Sequence, residues 1–220
     1  MLSIIIPTKN EPYINDLITD IRKKVRAKHE IIVVDKSDAI PKIKGAKLVR
    51  QKSDGLGRAI LEGVVASKGD IILMMDGDGS HDPVYIDKML SLIKSYDIVI
   101  GSRYVEGGSS NDSLPRAVVS RALTAFVSLF LGLRIKDPLS GFAMYRRSVF
   151  DSTVLSPKGY KLLMEICYKC GKRERAKITE VPIRFHQRKT GFSKVGFNLS
   201  GLKEAARIFL LALLLRFGRA

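Results

Sequence analysis

The chain has 220 residues, 45% of them hydrophobic and 27% charged, which suits one large domain and excludes a disordered chain. Lysine and arginine number 38 against 22 aspartates and glutamates, a formal charge of +16, so a negatively charged partner is expected: phosphate groups, nucleic acid or an anionic membrane surface. Two cysteines, Cys167 and Cys170, exclude a disulfide framework. The N-terminal MLSIIIPTKNEP lacks the basic start and long apolar run of a signal peptide, so a cytoplasmic location is expected.

Ser3–Pro7, Glu30–Asp35, Asp70–Asp76 and Asp97–Ser102 are short, β-branched and apolar, the pattern of strands covered on both faces. Ala46–Arg50 reads as a further short strand. Tyr13–Lys28, Leu56–Ser67 and Pro83–Lys94 carry helical apolar spacing between them. This alternation predicts an α/β fold, a mostly parallel central sheet flanked by helices. Polar residues gather at the carboxyl ends of the strands: Thr8, Asn10 and Glu11, then Asp35, then Asp76 and Asp78, then Arg103. Ligands of open parallel sheets bind outside those ends, so a single cleft is expected there.

Past Arg103 the pattern changes. Glu106–Ser113 reads as a flexible loop and Leu114–Leu133 as a long helix. A turn with Asp137, Pro138, Ser140 and Gly141 leads to a strand, Phe142–Arg146. Tyr160–Cys170 is expected to be helical and Ile178–His186 an alternating strand. Gln187–Lys194 is a basic loop before an amphipathic helix, Leu199–Phe217. The expected organisation is a catalytic domain over 1–196 and a C-terminal amphipathic helix within 197–220 that can lie on a membrane surface. The most apolar stretch, Ile208–Leu215, falls short of the roughly 20 residues a membrane span needs, so peripheral association is expected rather than crossing.

Asp76-Gly77-Asp78 follows directly on an apolar strand. Two carboxylates one residue apart can share a hard divalent ion such as Mg²⁺ or Mn²⁺, which prefers oxygen ligands, and Gly77 lets the backbone come close to a ligand. The same triplet can also be a plain polar turn. Asp54-Gly55-Leu56-Gly57-Arg58-Ala59 resembles a phosphate-cradling loop opening a helix. It lacks the third glycine of a dinucleotide fingerprint, and no Gly-Lys-Ser/Thr loop occurs, which disfavours a Rossmann dehydrogenase or a P-loop NTPase.

Taken in order, Pro7-Thr8-Lys9-Asn10-Glu11, Val33-Val34-Asp35, Gly55-Leu56-Gly57-Arg58-Ala59 and Asp76-Gly77-Asp78 resemble a family 2 glycosyltransferase of the GT-A fold. Gly101-Ser102-Arg103-Tyr104, Asp137-Pro138-Leu139-Ser140-Gly141-Phe142 and Arg188-Lys189-Thr190-Gly191-Phe192-Ser193-Lys194 narrow the resemblance to the dolichyl-phosphate mannose synthase branch. That resemblance implies GDP-mannose as donor, a polyprenyl (dolichyl) phosphate as acceptor and Mg²⁺ or Mn²⁺ as cofactor. It implies that Pro7, Thr8 and Glu11 line the base and ribose pocket, with Asp35 near the base or ribose and Asp54 and Gly55 on the same side. Asp76 would sit beside ribose and metal, Asp78 on the metal, and Arg103 at the donor phosphates or sugar. Arg116, Arg121, Arg188 and Lys194 would gather around the acceptor phosphate. Where such synthases usually read leucine and glutamine after the aspartates, this chain has Gly79 and Ser80; a serine hydroxyl or water could complete the metal's shell.

The chemistry of such a transfer agrees. A nucleoside diphosphate leaves from an oxocarbenium-like state, and a divalent ion with arginines stabilises the charge that develops on it. A phosphate acceptor already carries about −1.5 to −2 charge and needs no base. A hydroxyl acceptor would need one, and Asp137 is the candidate, with capping of its turn as the alternative role. Direct displacement implies inversion. Cys167 and Cys170 read as packing residues and Glu165 as a partner for an arginine; His81, close to the carboxylates, reads as a solvated loop histidine, with contact to the metal or phosphates as the alternative.

Three rivals stay open from the residues alone. The same fold could use UDP-glucose or a soluble acceptor. A nucleotidyltransferase also uses paired aspartates at a strand end. A basic nucleic-acid-binding module would explain the charge but not the acidic strand ends, which repel a phosphate backbone, so no nucleic-acid partner is expected.

Overall fold

In the computed structural model, which describes residues 1–155, 161–173, 175–189 and 199–218, the first apolar run becomes strand β1 (Leu2–Thr8), buried along its whole length. β2 (His29–Asp35), β3 (Lys47–Arg50) and β4 (Ile71–Met74) complete a parallel half-sheet around it. β5 (Ile98–Ser102) is linked to that half by β7 (Ala143–Arg146), which runs antiparallel to both β4 and β5. β8 (Ile178–Pro182) lies parallel to β5 at the edge, giving the order β3-β2-β1-β4-β7-β5-β8. The mostly parallel sheet expected from the alternating pattern is therefore present.

Side chains alternate between two cores, as strand geometry requires. Ile4, Ile6, Val33, Leu73 and Val99 meet α1 (Ile14–Lys24) and α3 (Ile86–Leu92) on one face. Ile5, Ile32, Val34, Ile72 and Ile100 meet α2 (Leu56–Ala66), α5 (Ser148–Ser152) and α6 (Leu162–Ile166) on the other. Each such aliphatic side chain, fully buried, contributes about 1.5–3 kcal/mol. A third cluster joins α4 (Leu114–Leu131) to α7 (Leu199–Phe217) through Val127, Leu131, Ile208, Leu211, Ala212 and Leu215.

Element boundaries move for identifiable reasons. α1 stops before Val25, whose extended backbone turns its side chain into the core. The helix expected from Pro83 opens as a 3₁₀ turn, Pro83–Tyr85, where the Val84 amide donates to the Asp82 carboxylate at 2.9 Å. α4 ends at Leu131 because Gly132 takes a left-handed φ of 64°. α6 passes into a wider π turn, Cys167–Arg173; Tyr160, where that helix was expected to start, lies outside the described residues. The single strand expected over Ile178–His186 is two. β5 ends at Ser102, so beyond Pro182 the ladder has no partner there, and β9 (Arg184–Phe185) pairs instead with β6 (Ser109–Ser110). That pairing gives order to the loop expected to be irregular.

By length and composition α4 is long and apolar enough to cross a membrane, which corrects the expectation that the chain holds no such segment. Its Val127 and Leu131 are nevertheless buried in the cluster shared with α7.

Candidate active site

The carboxyl ends of β1, β4 and β5 open into one cavity of about 800 Å³. Pro7, Thr8, Glu11, Asp54, Gly55, Asp76, Gly77 and Asp78 line it, and so do Arg103, Arg116 and Arg188. Three expected site residues stand apart. Arg121 is exposed on the far side of α4, because 100° per residue turns it away from Arg116 and Ser120. Asp35 and Asp137 are fully buried beneath the wall. Lys194 lies outside the described residues.

Asp35 is consumed by the protein. Its Oδ1 accepts from the Thr8 hydroxyl (3.0 Å) and the Ser37 hydroxyl (2.6 Å), and its Oδ2 accepts from the Ser37 amide and the Arg50 guanidinium. The carboxylate thus fixes the ends of β1 and β2 and reaches the cavity only through Thr8. At Gly55 the backbone has φ +97° at the start of α2, which demands glycine. Asp54 beside it is exposed and paired with Lys36.

The two carboxylates of the Asp-x-Asp turn differ in their surroundings. Asp78 Oδ1 accepts from the Ser80 amide (3.0 Å) and hydroxyl (2.6 Å), while Oδ2 pairs with Arg188 Nε at 3.0 Å. The Asp76 carboxylate accepts no hydrogen bond from the described residues; His81 Nδ1 lies 3.9 Å from its Oδ2. Desolvation, with the Asp78 charge beside it, pushes the Asp76 carboxyl above the usual carboxylate range. Gly141 is packed against it: an added Cβ there would stand 2.7 Å from Asp76 Oδ2. Gly77 lines the cavity and is also close to β1. An added Cβ would meet Thr8 Cγ2 at 3.0 Å, so the glycine permits a close approach to β1.

These residues fit a divalent cation. A partly buried carboxylate that accepts no hydrogen bond from the described residues, close to a second carboxylate, is what an oxygen-seeking ion stabilises. Among the described residues no three His, Cys, Asp or Glu side chains form a closed cage. An ion held by Asp76 and Asp78 would take its remaining ligands from water and substrate phosphates, as Mg²⁺ sites do.

A group of cations shares the cavity with the carboxylates. Arg103 Nε and Nη2 both donate to Asp137 at 2.8 Å, and its ring neighbours are Tyr104 and Phe185. Asp137 is therefore not placed to serve as a base: both oxygens are bonded to Arg103, and it does not line the cavity. It orients the arginine. Its own amide and that of Lys136 donate to Glu180 (2.9 and 2.7 Å). Arg116 pairs with Asp112 at 3.2 Å; burial, with Arg188 and Arg103 nearby, holds its guanidinium below the ordinary range.

One residue of the site escaped sequence reasoning, and another is more buried than its reading as a solvated loop residue implied. Lys161 lines the cavity near Asp76, and nothing in its local pattern marked it. His81, read as a loop histidine, is buried, stacked on Phe142 (5.0 Å between ring centres) and set edge-on to Phe185. Its Nδ1 accepts from the Asp76 amide (3.3 Å), which places the proton on Nε2, and burial pushes its pKa down. Its position three residues after Asp78 was the available signal. Cys167 and Cys170 are buried and form no disulfide, as packing residues should, and Glu165 pairs with Lys169 at 2.9 Å.

With the site assembled, comparison with known proteins identifies the frame it stands in. The chain is 36% identical over 210 residues to the dolichol-phosphate mannosyltransferase of Pyrococcus furiosus, covering 88% of this chain but 59% of that protein. It is 31% identical over 224 residues to the polyprenol monophosphomannose synthase of Mycolicibacterium smegmatis, covering 92% and 83%. The fold matches the crystal structure of glucosyl-3-phosphoglycerate synthase from Mycobacterium tuberculosis in complex with Mn²⁺, uridine diphosphate and phosphoglyceric acid, with a TM-score of 0.72 at 22% identity over 98% of this chain and 78% of that one. That likeness shows the fold, and it is the GT-A architecture the motifs implied. Residues 3–153 match the family model described as glycosyl transferase family 2, and the chain belongs to that family.

Proposed function

We propose that this enzyme transfers mannose from GDP-mannose to a polyprenyl phosphate, with inversion and with Mg²⁺ or Mn²⁺, while resting on the cytoplasmic face of a membrane. One observation carries the reading. A single cavity joins the Asp76–Asp78 carboxylates, the cations Arg103, Arg116, Arg188 and Lys161, and the apolar side chains Leu123, Leu163 and Ile208. A sugar nucleotide, a phosphate and a hydrocarbon chain each find matching chemistry within it. The choice of mannose and of a polyprenyl acceptor is supported by what the Pyrococcus and Mycolicibacterium relatives are named for.

Each residue has work to do in that reaction. Pro7, Thr8 and Glu11 would hold the base and ribose, and Gly55 keeps the start of α2 open toward the donor. Asp76 and Asp78 would hold the cation, which when bound neutralises charge on the leaving diphosphate. Arg103, locked by Asp137, meets the donor phosphates without reorganising. Arg116 and Arg188 hold the acceptor phosphate, offsetting the repulsion between two anions. The phosphate oxygen attacks unaided, so no residue need take a proton, in keeping with the burial of Asp137. Ile208 of α7 forms part of the wall, so the C-terminal helix serves both the site and the membrane.

The test is transfer from radiolabelled GDP-mannose or UDP-glucose to a polyprenyl phosphate or to 3-phosphoglycerate, with Mn²⁺ or with chelator. Lipid-linked mannose formed only with metal, and lost in Asp78→Ala with the fold intact, is expected. Label from UDP-glucose, label in the soluble product, or full activity in chelator overturns the corresponding part of the reading.

A further inference from the structure

Asp78 uses its two oxygens differently. Oδ1 is committed to its own turn through the Ser80 amide and hydroxyl, whereas Oδ2 is held by Arg188 at 3.0 Å. The backbone on both sides of Arg188 is fixed to the same turn. The His186 amide donates to the Ser80 carbonyl (2.9 Å), and the Lys189 amide donates to the Asp78 carbonyl (3.0 Å). Lys189 Nζ donates in turn to the Tyr13 hydroxyl at 2.9 Å. The chain is anchored and the Arg188 side chain, 32% exposed, is the part that can swing.

A cation approaching Asp78 must therefore displace a guanidinium from Oδ2. The displaced Arg188 remains within a cluster that already holds Arg116 and Arg103. Without an anion, the new ion and these arginines repel one another at low local dielectric, which opposes metal binding. A phosphate among the arginines removes that penalty.

We infer that Arg188 is an exchangeable counter-ion: it neutralises Asp78 in the metal-free enzyme and passes to a phosphate monoester when a divalent cation takes Oδ2. Cation and phosphate then bind with positive coupling, and the coupling is the same read from either side. The inference rests on the proposed metal role of Asp78 and acceptor role of Arg188, and adds that the two are one switch.

Titration of Mn²⁺ followed by the electron paramagnetic resonance of the free ion tests it, without sugar nucleotide and with or without inorganic phosphate. Arg188→Gln should bind Mn²⁺ at least about fivefold more tightly than the unaltered enzyme, the lower end for coupled sites. Phosphate should tighten Mn²⁺ binding in the unaltered enzyme and do so far less in Arg188→Gln. Equal Mn²⁺ affinity in the two proteins, or the same phosphate effect in both, overturns the exchange. Asp78→Asn separates the layers: loss of Mn²⁺ binding there upholds the metal site whatever Arg188 does, and unchanged binding overturns the metal reading itself. The phosphate effect in the unaltered enzyme does not depend on any variant folding.

Discussion

Arg103 and Asp137 form a two-toothed ion pair, with both N···O distances 2.8 Å, the aspartate fully buried and the arginine side chain 12% exposed. Burial works against the guanidinium charge, yet the Asp137 bonds hold its pKa above the ordinary range. Removing one member leaves the other's charge stranded, at about 3–5 kcal/mol. Asp137→Ala and Arg103→Met should each destabilise by roughly that amount in urea unfolding. The double variant Arg103→Met/Asp137→Leu should cost less than the two single changes combined, since it leaves no bare charge. Transfer should fail in every variant that lacks Arg103. Additive losses of stability would show that the pair is not a unit.

Gly141→Ala tests the cradle around Asp76. The added methyl carbon would sit 2.7 Å from Asp76 Oδ2, closer than van der Waals contact allows, so the carboxylate must turn aside. Gly141 is not among the glycines with positive φ, so the backbone tolerates alanine. We expect about a 10- to 100-fold loss of metal affinity and of transfer, the range typical of groups that orient a ligand, with the melting temperature nearly unchanged. A variant that melts early, or one with full metal affinity, would show that Gly141 serves the fold instead.

The sheet was legible because its strands are apolar on both faces. The SIIIP and EIIVVD runs admit few other readings, and they lie side by side in register, Ile4 opposite Ile31. The Asp-x-Asp turn was legible because chemistry and position coincide at one strand end. Asp137 was not: on the chain it is an acidic residue in a turn, and only the fold brings Arg103, 34 residues away, against it. The β6–β9 pairing was hidden likewise, since two-residue strands carry no periodicity. His81 was misread because a polar residue between Ser80 and Asp82 looks exposed until Phe142 and Phe185 close around it.

That closure makes His81 sensitive to acid. Burial holds its folded pKa below the ordinary value, while in the unfolded chain it titrates near about 6.5. As pH falls through about 6.5 the unfolded state takes up a proton that the folded state refuses, so stability falls until the lowered folded value is passed. Asp76 has the opposite sign: desolvation raises its folded pKa, so its contribution is present below the unfolded value, about 3.9, and is lost as pH rises through the folded one. Between pH 7.5 and 5.5 the unaltered protein should lose stability relative to His81→Asn, with a slope of at most about 1.4 kcal/mol per pH unit. Parallel pH profiles in urea unfolding would reject a neutral buried imidazole.

The outer faces of α4 and α7 bear on how a lipid phosphate would arrive. Leu114, Val118 and Leu129 project from α4, and Leu210, Leu214 and Phe217 from α7, all exposed. Beneath them Val127 and Leu131 of α4 pack on Ile208 and Leu211 of α7, so α4 is docked on α7 with its outer side exposed, the side that the proposed membrane contact would use. Leu123 and Ile208, which line the cavity, belong to the same two helices. Inserting a leucine into hydrocarbon contributes about 1.5–3 kcal/mol. Leu129→Glu/Leu210→Glu should therefore weaken binding to anionic vesicles by about 3 kcal/mol or more, roughly a hundredfold. Melting temperature and transfer to a short, water-soluble prenyl phosphate should be retained. Binding of the unaltered protein should also fall with salt, because the +16 chain adds an electrostatic share of about 1 kcal/mol per basic residue at the surface. Vesicle binding that survives both glutamates would move the membrane contact to another face and leave this apolar surface without that role.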